Sequence, residues 1–158
     1  MDEAIARALH VIGVILWIGG VAMITAVVLP AFRSGAIAGN PVKGFEAVER
    51  RFSIIARLSI LIVGVTGFYM TYTLDLWDRF AVARYWWMHA MVLVWLVFTL
   101  VVFIAEPLYL HEAFRRWANS SPKNALNYLV LAHYILLTLS IVTVFGAIYG
   151  SHYGFFFL

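Results

Sequence analysis

The sequence predicts an all-α polytopic membrane protein, an antiparallel bundle of four transmembrane helices. Three observations predict it. The 158 residues are 64% hydrophobic and 12% charged, whereas a soluble domain carries about 25% charged residues. The apolar residues fall into four long uncharged runs, and a helix needs about 20 such residues to cross a bilayer. The basic residues gather in the short segments between the runs, where they report topology rather than nucleic-acid binding.

Taken in order, the first run extends from Ala8 to Phe32, the second from Leu58 to Leu74, the third from Tyr85 to Ala105 and the fourth from Asn124 to Leu158. These place spans near 5–32, 48–74, 82–110 and 123–151, in one transmembrane domain covering 1–158. Span 2 starts before its apolar run, because "FEAVERRFSIIARL" already has helical spacing. "SGAIAGNPVKG" reads as a turn-rich loop, and "ANSSPKN" offers N-caps for span 4. Short loops imply antiparallel neighbours.

Eight of the eleven Lys/Arg lie on one side: Arg33, Lys43, Arg50, Arg51, Arg57, Arg115, Arg116 and Lys123. Arg7, Arg79 and Arg84 lie on the other. The positive-inside rule puts the 33–57 and 106–123 segments in the cytoplasm and both termini outside. The expected location is a bacterial inner membrane. Span 1 is too long and starts too acidic for a cleavable signal.

The chain has no cysteine. That removes disulfides, thiolate metal sites, iron–sulfur clusters and covalent haem attachment. Any metal or haem must be held by His, Met, Tyr or carboxylate. All five histidines sit in or at the ends of the spans, and ionisable groups at membrane depth are costly enough to suggest function. His10, His89 and His152 share an expected outer level; His111 and His133 lie toward the cytoplasm. Antiparallel register sets His89 level with His152 and His111 level with His133. Along span 3, the step from 89 to 111 leaves a net rotation of about 40°, so both histidines share a face, about 33 Å apart.

His10 and His89, on diagonal helices, are the expected pair of axial haem ligands, with His152 an alternative. A second haem between His111 and His133 is the further expectation. Gly13 and Trp17 continue the face of His10. Gly64 and Gly67 on span 2, and Gly146 and Gly150 on span 4, sit at that outer level. They leave room for a flat macrocycle, or for close helix packing. Arg7 and Arg84 flank the outer level as propionate partners. Arg57 and Glu106 read as a structural ion pair. Trp77, Trp86 and Trp87 read as an interfacial belt.

"ALHVIGVILWIGGVAMITAVVLPAF", with His10, Trp17, Gly19 and Gly20, resembles the first helix of two related groups of bacterial membrane proteins. These are the copper-resistance D-type domain and the J-type protoporphyrinogen oxidase, a four-helix haem protein. "RFSIIARLSILIVGVTGFYM" and "YWWMHAM" are similar to their second helix and to the start of their third. The resemblance implies a four-helix bundle with His10 as haem ligand. The J-type pattern also places a functional lysine in the third helix, and no apolar run of this chain contains a lysine.

The expected function is therefore that of a b-type haem membrane protein carrying electrons to or from the quinone pool, with a redox partner protein. The alternatives are haem-dependent porphyrinogen oxidation, in which no catalytic residue is identified; copper binding by His10, His89, His152, Met88 and Met91, since imidazole and thioether suit Cu(I); and a structural subunit of a larger complex or homo-oligomer.

Overall fold

A computed structural model describes residues 2–34, 41–110, 116–117 and 120–152. Within them the chain is almost entirely helical, with no strand. Four of its helical segments are long and apolar enough to cross a membrane: Glu3–Arg33, Lys43–Thr73, Ala83–Leu108 and Asn124–His152.

The first begins as α1 (Glu3–Met23), capped by the Asp2 carboxylate, which accepts a bond from the Ala4 N–H at 2.8 Å. This satisfies one of the donors that every helix start leaves open. The helix passes through a π stretch, Ile24–Val28, into α2 (Leu29–Arg33). Pro30 explains the widening. It has no N–H, and its ring collides with the carbonyl four residues back, which a π turn moves aside. Thr25, fully buried there, returns its hydroxyl to the Val21 carbonyl at 2.7 Å.

Helix α3 (Pro41–Thr73) begins seven residues earlier than position 48. Pro41 stands at its first position, where a missing N–H costs nothing. The chain then turns at Asp75, whose φ of 49° lies in the left-handed region. Two 3-10 turns, Trp77–Ala81 and Ala83–Tyr85, lead into α4 (Trp86–Leu100). This helix continues as a ten-residue π stretch, Val101–Leu110, around Pro107. The last helix, α5 (Pro122–His152), starts at Ser121, whose carbonyl accepts the Ala125 N–H at 3.0 Å. Ser121, from "ANSSPKN", stands at the position just before this helix. Residues 35–40 of the first turn-rich loop lie outside the described residues.

Packing is densest between α1 and α3. A Cβ on Gly13 would meet Val63 at 2.8 Å and the Ser59 carbonyl at 3.3 Å; one on Gly20 would run into the Phe52 ring, and one on Gly44 into Phe32. As the position on the first segment rises from 13 to 32, its partner on α3 falls from 63 to 44. The central core joins Trp17 and Val21 of α1 to Ala56, Ile60 and Val63 of α3 and to Phe98 of α4 with Val102 beyond it. Leu136 and Leu137 of α5 close it. A second cluster holds Ile24, Leu29, Phe32 and Phe45.

Candidate functional site

His10 lies half-buried on α1, facing α3. Its Nδ1 stands 3.1 Å from the Thr66 hydroxyl. Thr66 has one hydroxyl proton, and that proton is directed at the Ile62 carbonyl one turn back. The hydroxyl can therefore only accept from His10, so Nδ1 carries the hydrogen. In a neutral imidazole this leaves Nε2 with an unshared lone pair. A hydrogen bond on one ring nitrogen that fixes the other as ligand is the usual arrangement around a metal-bound histidine. The ring rests against Gly67, where a Cβ would meet His10 Cε1 at 3.2 Å. Gly67 thus serves the site as a seat for the imidazole.

His133 shows the same chemistry on α5. Its Nδ1 donates to the Leu129 carbonyl at 2.9 Å, and its ring stands edge-on to the buried Phe45 at 5.9 Å. Its Nε2 is likewise left as the acceptor. His152, exposed at the end of α5, has Nδ1 on the Ile148 carbonyl at 2.9 Å. His111 lies outside the described residues.

His89 is placed differently from expectation. In α4, Trp87 and Met88 turn inward and His89 is exposed, with its ring edge-on to Phe80 at 5.3 Å. His10 packs at Thr66 and Gly67, and the α4 side chain that reaches this part of α3 is Trp95, on Gly64, edge-on to Phe68 at 5.7 Å and bonded to the Ile60 carbonyl at 3.0 Å. The described contacts therefore do not bring His10 and His89 together. Met88 is buried where His89 is exposed, so these neighbours also diverge as a copper pair. No group of three or more His, Asp or Glu side chains lies close enough to hold a metal among the described residues.

The glycines proved to be seats for the chain's own rings. Gly64 receives Trp95, Gly146 receives Trp86, and Gly150 receives Trp87. Trp87 is consequently 7% exposed and packs inside, not in the belt; Trp77 and Trp86 remain at the surface. Of the flanking arginines, Arg84 lies over the Tyr85 ring at 4.9 Å.

Below His10 on the same face, Trp17 is 3% exposed and meets Phe98 edge-to-face at 4.8 Å. Its Nε1 has no hydrogen-bond partner. Trp95 Nε1, by contrast, donates to the Ile60 carbonyl at 3.0 Å. Replacing Trp95 by Phe should cost about 1 kcal/mol more than replacing Trp17, because only the former gives up a bond. Unfolding of the two variants in mixed micelles measures the difference.

The remaining polar cluster was foreshadowed only in part. Glu106 is 7% exposed and accepts from the Ser53 hydroxyl at 2.7 Å and from Arg57 at 3.4 Å. The expected Arg57–Glu106 pair is thus present. Ser53 was missed, although it lies one turn before Arg57 on the same face. The π stretch was also missed, although Pro107 next to a carboxylate within an apolar run signals it.

Comparison with protein-family models, curated proteins and solved structures yields no match.

Proposed function

We propose that this chain is a multi-pass protein of the bacterial inner membrane, with its four helices antiparallel and its termini outside. In this reading it binds b-type haem through His10 and exchanges electrons with the quinone pool. The observation that carries the reading is the His10–Thr66–Ile62 chain. It spends the Nδ1 hydrogen on the protein and leaves the Nε2 lone pair of the half-buried ring without a protein partner.

The falling order of α3 partners along the first segment supports the antiparallel arrangement. The excess of Arg and Lys in the 33–57 and 106–123 segments supports the orientation. Bound haem would supply a one-electron couple. His10 would hold it, Thr66 would keep the imidazole in the tautomer a metal requires, and Gly67 would leave the ring its place. The Trp17–Phe98 pair fills the bundle beneath and keeps water from the core. His133, with its own Nε2 free, is the corresponding residue for a second haem.

The test is a reduced-minus-oxidised spectrum with haem quantification, on protein expressed with haem supplied. His10→Ala should abolish the Soret band of this site. Thr66→Val should keep the fold but lower haem retention by about 10- to 100-fold, as expected for loss of a ligand's hydrogen-bond partner. His89→Ala should retain the band, since that ring faces outward. Wild-type protein without a Soret band sinks the proposal.

A further inference from the structure

Arg50 and Arg51 are both exposed on the first half of α3. Among the described residues neither has a hydrogen-bond or ion-pair partner. Arg79 and Arg84 lie over the Tyr85 ring at 5.2 and 4.9 Å and Arg57 holds Glu106, whereas Arg7 and Arg33, also exposed, each stand singly and not as an adjacent pair. Directly beyond the unpaired couple, α3 presents an uninterrupted apolar strip. Ile54 is 59% exposed, Leu58 59%, Leu61 51% and Val65 66%, with Ile55 beside them. From Ile54 to Val65 the strip runs about 17 Å along the helix axis.

Two guanidinium groups at the head of an exposed apolar strip match one kind of molecule: an anionic head above a hydrocarbon tail. Guanidinium recognises phosphate oxygens through paired, charge-assisted hydrogen bonds. The strip has the length and polarity to lie beside an acyl chain. By positive-inside topology the arginines sit at the cytoplasmic leaflet, where anionic lipids attract basic side chains.

We propose that Arg50, Arg51 and the strip from Ile54 to Val65 form a site for one anionic phospholipid. The phosphate sits on the arginine pair and an acyl chain lies along α3. This rests on the membrane reading given above but not on haem.

The full chain is purified in mild detergent, mixed with phosphatidylglycerol or phosphatidylcholine, washed, and examined by native mass spectrometry for retained lipid. Phosphatidylglycerol should be retained about tenfold better than phosphatidylcholine, on the scale that basic side chains contribute near anionic lipid. That preference should fall as salt rises. Arg50→Gln/Arg51→Gln should reduce retention to the phosphatidylcholine level, and Arg50→Lys/Arg51→Lys should keep much of it. Equal retention of the two lipids by the wild type overturns the proposal, whether or not the glutamine variant folds. So does full retention by a folded glutamine variant. Added inorganic phosphate should leave retention unchanged, and displacement by it overturns a site built around the lipid. Alkaline extraction of membranes separates the two failures. A chain released by it defeats the membrane reading; a chain that stays but shows no preference defeats the lipid site alone.

Discussion

Arg57→Met should destabilise the folded chain by about 3 kcal/mol, the lower end of the range for removing one partner of a buried pair. The lower end applies because the Arg57 side chain is 38% exposed while that of Glu106 is 9% exposed. The cost comes from the carboxylate. It stays buried with the Ser53 hydroxyl still attached but without its counter-charge, and an uncompensated buried charge is expensive. Removing both charges tests this account. Arg57→Met/Glu106→Leu should recover most of the loss, because no buried charge remains to be compensated. Reversible denaturation in mixed micelles measures all three proteins. A double variant as unstable as the single one would show that the two side chains act through packing instead.

Gly20→Leu should cost about 3 kcal/mol or more, at the upper end of overpacking effects. A Cβ there already runs into the Phe52 ring, and Phe52 packs against both core clusters, so it has nowhere to retreat. The neighbouring position provides the control. At Gly19 an added Cβ meets nothing within 4 Å. Gly19→Ala should therefore be neutral or stabilising by up to about 1 kcal/mol, the cost of glycine in a helix interior. Two adjacent glycines in one helix are thus expected to respond in opposite directions. The same denaturation series measures both. Equal responses would mean that α1 and α3 do not pack along Gly20.

The four long helices were legible because each rests on a long uncharged apolar run. Their ends were less legible. The start of α3 at Pro41 lies in polar sequence, where composition says nothing of helix. Ion pairing of Arg57 with Glu106 could be read, since two opposite charges at one depth have few other ways to be accommodated. The direction each imidazole faces could not. His89 and Met88 are neighbours in sequence, yet one faces outward and the other in. Adjacent helical residues point about 100° apart, and which of them meets a neighbouring helix depends on packing that the uniformly apolar run does not mark. The glycines were read as space, and the sequence could not say whose rings would fill it.

The π stretch from Val101 to Leu110 has a bearing on how such a chain can change over generations. Each of its hydrogen bonds reaches one residue further than in an α-helix. Loss of one residue in this stretch can therefore be taken up locally by a return to α geometry. The Trp86 end of the helix, with Trp95 and Phe98, and the part beyond the stretch then both keep their alignment. A single deletion here can thus be absorbed within the π stretch, leaving the packing at either end as it is.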